Sequence, residues 1–357
     1  MTTQKAIVVT QPGTVSLVTD RPIPALRDDM ILVKTVAVSL NPADWKSIED
    51  FAPPGALVGN DFSGTVEAVG PGVKKAWKKG DRICGTSHGS NIVQHEDGTF
   101  AEYIVTRGDI AIMVPDNLSF QEATTAGVGI ITIGQAAANL NLASPTEPIT
   151  DATPILIYGG STATGTLAIQ YAKLSGYTVI TTCSPHNFDL VRSLGADSFF
   201  DYNEPGCAAA IRRLTKDNLK LVLDCISLQP SANFCDDAIS TSGGEYLALL
   251  PVKIERENVN DRGILGYTSL GAAFKFGDID FPAFPEHRAH AEKFVLLAED
   301  LIRGGKMKLH PHLVGEGGLQ GVLEGLKLLK EGKVSGKKLV YNVEETPQVL
   351  ECILVQA

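Results

Sequence analysis

The strongest chemical signal in the sequence is a glycine-rich turn that follows a short apolar run. Residues 158–165 read YGGSTATG, and the run ILIY precedes them at 155–158. Glycines permit a tight turn and let backbone N–H groups approach a pyrophosphate at a helix N-terminus. The spacing departs from GxGxxG, because Ser161 and Thr164 take the second and third glycine positions, but Gly165 follows and suits close helix–strand packing. The segment predicts a dinucleotide site, with an ordinary strand-to-helix turn as the alternative.

The end of the next apolar run indicates which dinucleotide would bind. Residues 181–189 read TTCSPHNFD and contain no acid before Asp189, although sites that prefer NADH usually hold the ribose 2′-hydroxyl with Asp or Glu here. Ser184, His186 and Asn187 are small or bear donors, so we expect them to surround a 2′-phosphate. NADPH is therefore the predicted cofactor. For His186, a plain histidine at a helix start is the alternative.

The ends of later predicted strands provide further candidates for cofactor contacts. Tyr202 ends the third apolar run and would either stack on adenine or simply pack. Leu249 and Leu250 end a later run, where nicotinamide would enter the crevice at the strand C-termini.

The sequence shows no zinc-ligand spacing. Residues 59–64 read GNDFSG, without the histidine of a GHE-type ligand pair, and the cysteines form no four-cysteine lobe. His88 and His95 lie in a polar stretch and are expected to be solvated. We expect no metal, and alcohol oxidation would then lack its Lewis acid. Hydride addition to a conjugated alkene needs none, because the adjoining carbonyl already polarises the double bond.

Composition narrows the class of protein. The chain has 357 residues with 44% hydrophobic and 20% charged residues, and its net charge of −10 disfavours nucleic acid or an anionic membrane as a partner. No apolar run reaches the roughly 18 residues of a membrane span, and we expect no signal peptide in the N-terminal residues, which lack a long apolar stretch. The cysteines, which are dispersed and predicted to be reduced, are Cys84, Cys183, Cys207, Cys225, Cys235 and Cys352. Cys183 and Cys225 are expected to be buried thiols, and a cytoplasmic location is expected.

The order of the elements predicts an α/β fold of two domains. Short β-branched runs at 5–10, 30–40, 64–70 and 101–106 indicate a twisted or barrel-like antiparallel unit. Ser119 is predicted to be the N-cap of a helix that reaches residue 140. From 155 to 250 apolar strands alternate with helices, which predicts a parallel, doubly wound sheet with right-handed crossovers. Two amphipathic helices, at 287–305 and 318–333, and a strand at 335–343 follow.

Five stretches carry a family resemblance: NPADWK (41–46), GDR (80–82), YGGSTAT (158–164), CSPHNFDL (183–190) and SGKKLV (335–340). Over nearly its whole length the chain resembles the zinc-free medium-chain dehydrogenases/reductases, and in particular the fungal trans-acting enoyl reductases. The resemblance implies a GroES-like, β-rich catalytic domain (1–122 and 268–357) and a Rossmann NADPH-binding domain (123–267). It also implies a monomer that reduces the α,β-unsaturated thioester of a partner polyketide synthase in secondary metabolism. That synthase, alone or fused to a nonribosomal peptide synthetase module, would present the substrate on its acyl carrier protein.

The resemblance also assigns contacts. Expected cofactor contacts are Ala43, Asp44, Trp45, Lys46, Ser161, Thr162, Ala163, Thr164, Ser184, Pro185, His186, Asn187, Tyr202, Leu249, Leu250, Gly336 and Lys337. Expected substrate contacts are Thr132, Ile133, Gly134, Gln135, Ala136, Ala137, Ala138, Asn139, Gly266, Tyr267, Thr268, Ser269 and Leu270.

Lys46 and Thr132 are the candidates nearest the reacting atoms. Lys46 follows an Asn-Pro turn and would bind cofactor oxygens or donate a hydrogen bond, and a solvated lysine is the alternative. Thr132 lies near the start of an apolar helix, where a threonine bonded back to its own helix is the alternative. The glycines at 127, 129 and 134 suit either a roomy apolar channel or close helix packing.

Two other functions remain open. A stand-alone quinone or enone reductase would use the same cofactor on free small molecules. A non-catalytic NADPH-binding sensor or scaffold would bind the cofactor without turning over any enone or enoyl thioester.

Overall fold

The computed structural model describes residues 2–348 and divides into two compact units. Unit 1 comprises the described residues through Val128, Tyr267–Arg303 and the described residues from Leu309 onward; unit 2 comprises Gly129–Gly266 and Gly304–Lys308. Relative to the expected boundaries, residues 123–128 and 267 therefore fall in unit 1, and residues 304–308 fall in unit 2.

The regular elements are numbered along the chain. The strands are β1 (Thr3–Gln11), β2 (Thr14–Pro22), β3 (Met30–Ser39), β4 (Asp61–Val69), β5 (Arg82–Thr86), β6 (Tyr103–Arg107), β7 (Ile112–Met113), β8 (Pro154–Tyr158), β9 (Thr178–Thr182), β10 (Ser198–Phe200), β11 (Leu221–Asp224), β12 (Gly244–Ala248), β13 (Val259–Gly263), β14 (Phe274–Phe276), β15 (Ile279–Phe281), β16 (His312–Gly315) and β17 (Lys338–Asn342). The α-helices are α1 (Pro42–Asp50), α2 (Phe120–Ala123), α3 (Gly127–Asn139), α4 (Ala163–Leu174), α5 (Phe188–Ser193), α6 (Cys207–Leu214), α7 (Gln229–Ala238), α8 (Pro285–Arg303) and α9 (Gly318–Lys330).

Unit 1 is built on a mostly antiparallel sheet. Its strands run in the order β16-β17-β3-β4-β5-β7, and β6 also pairs with β3; β16 and β17 form the parallel pair. The β1–β2 and β14–β15 hairpins complete the unit. Ile31, Phe62, Ile83 and Ile104 fill the core on one face of this sheet. The strands predicted at 5–10, 30–40, 64–70, 101–106 and 335–343 are confirmed as β1, β3, β4, β6 and β17, whereas β2, β5, β7, β14, β15 and β16 were not predicted.

Unit 2 contains the predicted parallel sheet. The strand order is β10-β9-β8-β11-β12-β13, and every neighbouring pair is parallel. The chain winds outward from β8 to β10 and then returns to β11 on the other side of β8. This reversal opens a crevice at the carboxyl ends of β8 and β11, where doubly wound sheets bind ligands.

The predicted helix up to residue 140 is interrupted. Ser119 caps α2 as predicted, since its Oγ accepts a hydrogen bond from Glu122 N at 3.1 Å and Ser119 N donates to the Glu122 carboxylate at 2.9 Å. The Thr125 hydroxyl then donates to Glu122 O at 2.8 Å. Gly127 starts α3 where a Cβ would lie 2.2 Å from Gly85 O. The competing threonine bond and the glycine separate α2 from α3.

Cysteine burial follows the expectation with one exception. Cys183 is buried, but Cys225 is partly exposed. Both are free thiols, and Cys352 lies outside the described residues. Within residues 2–348, no helix is both long and apolar enough to span a bilayer.

Candidate active site

The carboxyl edge of the unit 2 sheet brings most of the predicted cofactor contacts together. Ser161, Thr162, Ala163 and Thr164 follow β8, Ser184, Pro185, His186 and Asn187 follow β9, Tyr202 follows β10, and Leu249 and Leu250 follow β12. β10 and β12 end at Phe200 and Ala248, slightly before the predicted positions, so the last three residues lie in the connecting loops. Because parallel strands end at one edge of their sheet, these segments border one crevice.

The glycine turn is shaped by contacts that exclude side chains. Gly159 has a φ of +81°. A Cβ on Gly160 would lie 2.0 Å from Thr181 Oγ1, and one on Gly165 would lie 2.3 Å from Gly159 O, which confirms the close packing predicted for Gly165. The Thr162 hydroxyl caps α4 by accepting a hydrogen bond from Gly165 N at 3.0 Å. The turn therefore delivers the positive end of α4 to the crevice.

The residues after β9 form a polar surface. Ser184 Oγ lies 3.3 Å from Tyr202 OH, and Asn187 Nδ2 lies 3.2 Å from His186 Nε2. Tyr202 is 40% exposed, and His186 is also exposed. These side chains offer hydrogen-bond donors from two strand ends, where a carboxylate would instead repel a phosphate.

A loop after β11 also borders this edge, although the sequence analysis missed it. Asp224 accepts hydrogen bonds from Ile226 N and Ser227 N, both at 2.9 Å. Leu249 N donates to Ser227 Oγ at 2.7 Å, which fixes the loop after β12. A Cβ on Gly159 would lie 2.9 Å from Ile226 Cγ1, so Ile226 covers the glycine turn. The sequence does contain a signal for this loop. Asp224 is an acidic residue at the end of the apolar run LVLD, next to the switch point, where the strand order of the sheet reverses.

In unit 1, the predicted contacts of the NPADWK segment lie on α1. Asp44 is only 1% exposed, and its carboxylate accepts hydrogen bonds from Asn41 N at 2.6 Å and Asn60 Nδ2 at 2.5 Å. Burial raises the pKa of Asp44 to about 7, against the opposing effect of these hydrogen bonds. The Asp44 side chain thus holds the N-terminus of α1 in place. Lys46, two residues on, is half-buried, and its Nζ lies 5.6 Å from the centre of the Trp45 ring.

Beside Asp44 lies a buried ion pair that the sequence analysis did not predict. Lys338 Nζ lies 2.5 Å from Asp61 Oδ2 and 2.8 Å from Asn41 Oδ1. Asn41 Nδ2 donates to Asp61 Oδ2 at 2.9 Å, so three elements, β4, β17 and the start of α1, are joined. The predicted contacts Gly336 and Lys337 precede β17; Lys337 is exposed, whereas Lys338 is 4% exposed.

The expectation that His88 is solvated is wrong. His88 is 3% exposed and stacks on Tyr267, with ring centres 3.7 Å apart and planes 11° apart. Burial lowers the pKa of His88 to about 3, so its imidazole is neutral. His95 is exposed, as predicted.

The expected substrate contacts near residue 266 form a short 3-10 helix, Gly266–Leu270. Tyr267 OH donates to Asn60 Oδ1 at 3.2 Å and so connects to Asp44. Thr268, Ser269 and Leu270 are buried, and Thr268 Oγ1 lies 2.8 Å from His287 Nδ1. Tyr267 and Leu270 line a pocket within unit 1.

The expected substrate contacts on α3 are mostly buried. Thr132 is 9% exposed, and Gln135 Nε2 donates to Leu265 O at 3.2 Å. Ile133 and Ala136 line a small apolar cavity inside unit 2. A Cβ on Gly129 would lie 2.6 Å from Leu167 Cδ1, so close packing against α4 accounts for that glycine. The remaining members of the set are Gly134 and Ala137, which are buried, and Ala138 and Asn139, which are at least partly exposed.

Within residues 2–348, no three His, Cys, Asp or Glu side chains are grouped to hold a metal ion.

Comparison with known proteins identifies the domain families. Residues 27–116 match the alcohol dehydrogenase GroES-like domain, and residues 163–246 match the family described as zinc-binding dehydrogenase. An alcohol dehydrogenase superfamily protein from Novosphingobium aromaticivorans has the same fold, with a TM-score of 0.78 and 23% identity over 95% of this chain and 99% of that one.

Curated sequences give a more specific match. The trans-enoyl reductase TOXD of Cochliobolus carbonum is 59% identical over 295 residues, which cover 82% of this chain and 99% of that protein. The trans-enoyl reductase ACTTS2 of Alternaria alternata is 46% identical over 347 residues, which cover 96% of this chain and 100% of that protein.

Proposed function

This chain belongs to the trans-enoyl reductases, oxidoreductases of the medium-chain dehydrogenase/reductase type, and we propose that NADPH is its hydride donor. The proposed acceptor is the β-carbon of an α,β-unsaturated polyketide thioester. A partner polyketide synthase, alone or fused to a nonribosomal peptide synthetase module, carries this substrate on its acyl carrier protein. The chain acts as a cytoplasmic monomer in secondary metabolite biosynthesis.

The observation that carries the proposal is the glycine turn at the switch point of the unit 2 sheet. Gly160 leaves no room for a Cβ next to Thr181, and the turn ends at the N-terminus of α4. A pyrophosphate is bound in such a place by backbone N–H groups and by the positive end of the helix dipole. The residues present therefore fit a dinucleotide.

The choice of NADPH over NADH rests on the residues after β9. Ser184, His186 and Tyr202 present hydroxyl or imidazole groups, and residues 183–188 include no carboxylate. A 2′-phosphate carries close to two negative charges at neutral pH, so an acid at this position would disfavour it and neutral donors favour it.

Lys46 and Thr132 are the proposed catalytic residues. Negative charge develops on the thioester oxygen as hydride reaches the β-carbon, and a hydrogen-bond donor at that oxygen is worth about 3–4 kcal/mol of transition-state stabilisation. The Lys46 ammonium or the Thr132 hydroxyl would donate there. Asp44 positions Lys46, because the hydrogen bonds of Asp44 hold the N-terminus of α1, the helix that carries Lys46.

Steady-state kinetics test the proposed function. NADPH oxidation is followed with a crotonyl thioester and, separately, with a quinone, and each reaction is repeated with NADH. A preference for the thioester and for NADPH is expected. A clear preference for the quinone would indicate a quinone reductase. Cofactor binding without any turnover would indicate a sensor or scaffold.

A further inference from the structure

Asp61, on β4, is a buried carboxylate to which the proposed function gives no part. Its side chain is 0% exposed, so it touches neither a substrate nor a cofactor. Each of its two oxygens nevertheless accepts a hydrogen bond from the start of a different helix, one from α1 and one from α3. These two helices carry the proposed catalytic residues, Lys46 and Thr132.

The first oxygen of Asp61 anchors the start of α3. Asp61 Oδ1 accepts a hydrogen bond from Val128 N at 2.6 Å. Val128 lies in the first turn of α3, where backbone N–H groups find no carbonyl partner in their own helix and where the helix dipole favours a negative charge. Thr132 follows about one turn later on the same helix, so the carboxylate fixes the backbone from which the Thr132 hydroxyl projects.

Gly127 permits this close approach of α3 to Asp61. A Cβ at Gly127 would lie 2.4 Å from Asp61 Oδ1 and 2.2 Å from Gly85 O. Any side chain at this position would push the start of α3 away from the carboxylate. Close packing against Asp61 and Gly85 therefore accounts for the glycine, for which the sequence left a channel as the alternative.

The second oxygen of Asp61 anchors the start of α1. Asp61 Oδ2 accepts a hydrogen bond from Asn41 Nδ2 at 2.9 Å, and Asn41 is the N-cap residue of α1. Lys338 Nζ donates to the same Asp61 oxygen and to Asn41 Oδ1, at 2.5 and 2.8 Å. These bonds fix the orientation of the Asn41 amide. Lys46 lies in the second turn of the helix that this cap begins.

The partners of Asp61 require an acceptor at both of its oxygens. Val128 N, Asn41 Nδ2 and Lys338 Nζ are all donors. A carboxylate accepts at both oxygens, whereas an asparagine accepts at one atom and donates from the other. Beside Lys338, an asparagine at position 61 would therefore turn its amide N–H towards at least one of these donors.

We propose that Asp61 is a positioning residue for the reduction, because its one carboxylate fixes the starts of α1 and α3 and thereby the positions of Lys46 and Thr132. Lys338 supports this role by holding the Asn41 amide in the orientation that Asp61 accepts. The inference rests on the proposed function, since it takes Lys46 and Thr132 as the donors to the developing oxyanion.

Two double variants that both remove the buried ion pair test the positioning role. Asp61→Asn with Lys338→Met and Asp61→Leu with Lys338→Met each avoid leaving a lone buried charge. The new asparagine can still accept from Val128 N and can donate to Asn41 Oδ1, which Lys338 no longer contacts, whereas leucine can do neither. With a crotonyl thioester, kcat should be about tenfold to hundredfold lower in the leucine variant than in the asparagine variant, because a donor misplaced by about 1 Å costs up to about 10²-fold. Equal kcat values in the two folded variants would overturn the proposal.

Asp109 provides a matched control in unit 1. It is also a buried carboxylate, it accepts hydrogen bonds from Lys74 N at 2.8 Å and Lys75 N at 3.0 Å, and it lies 3.6 Å from Arg288. Its printed partners lie outside α1 and α3, so Asp109→Asn should retain wild-type kcat. A decrease in Asp109→Asn as large as that in the leucine variant would show a general effect of buried carboxylates and overturn the proposal.

Adding Lys46→Ala or Thr132→Val to both double variants tests the route of the effect. Residues that act together are not additive, so the difference in kcat between the leucine and asparagine variants should shrink in at least one of these backgrounds. A difference that keeps its full size in both backgrounds would overturn the proposal.

Hydrogen exchange separates this inference from the proposed function. Amide exchange in the full chain is followed by mass spectrometry, and the segments 41–46 and 127–132 should exchange faster in the leucine variant than in the asparagine variant. Equal exchange in both segments would overturn the proposed anchor. Faster exchange in these segments, together with no turnover of any enoyl thioester by the wild-type protein, would support the anchor and overturn the proposed function.

Discussion

Lys338 Nζ and Asp61 Oδ2 lie 2.5 Å apart, and the two side chains are 3% and 0% exposed. Removing one member of a buried ion pair leaves the other charge unpaired and costs about 3–5 kcal/mol. Lys338→Met should lower the free energy of unfolding by this amount in urea titrations. Lys337→Ala, at the exposed neighbouring lysine, should change it by less than about 0.5 kcal/mol. Similar stabilities for the two variants would contradict the pairing.

Asp44 should make stability depend on pH. Its pKa rises from the ordinary 3.8 to about 7 in the fold, so the native state binds a proton that the unfolded state has released. The contribution of Asp44 to stability is fully present below pH 3.8 and is lost as the pH rises to about 7. Asp44→Asn should flatten this decline when urea unfolding is measured from pH 5 to pH 8. Parallel wild-type and variant curves would refute the assignment.

Gly165 should be essential to the glycine turn. Alanine normally stabilises a helix by about 1 kcal/mol relative to glycine, but here its Cβ would lie 2.3 Å from Gly159 O. Gly165→Ala should therefore lower thermal stability and weaken NADPH binding at least about tenfold, since the turn must move. Gly263→Ala is the control, because a Cβ there meets nothing within 4 Å. Undiminished NADPH affinity in Gly165→Ala would exclude the turn from the cofactor site.

Lys46 and Thr132 should affect turnover. Loss of one donor to the developing oxyanion corresponds to a decrease in kcat of about 10²–10³, so Lys46→Ala or Thr132→Val should show a loss of this size in steady-state kinetics. The exposed Lys78 provides the control, and Lys78→Ala should retain wild-type kcat. If neither Lys46→Ala nor Thr132→Val alters kcat, both residues must be removed from the chemistry.

The sequence was sufficient for five of the six strands of the Rossmann sheet, because these five carry local signals. Continuous apolar runs such as ILIY before the glycine turn mark strands covered on both faces. β13 was missed because its sequence, VNDRG, is polar at the edge of the sheet. The helix break near residue 125 depends on Gly85 O, an atom distant in sequence from Gly127.

The placement of the candidate residues was predictable where they follow strand ends and was not where it depends on long-range pairing. Ser184 and Tyr202 lie at one edge because parallel strands place them there. The Lys338–Asp61 pair joins residues 277 positions apart, and nothing local distinguishes Lys338 from Lys337. His88 appeared solvated because its neighbours are polar, and only the fold shows Tyr267 stacked on it.

Transfer of a deuterium label tests the central claim most directly. NADPH deuterated at the transferred C4 position is incubated with the protein and a crotonyl thioester, and the product is analysed by mass spectrometry and NMR. The label should appear on the β-carbon of the saturated butyryl thioester. Consumption of the cofactor with no label on that carbon, or no consumption with any enoyl thioester, would contradict the account.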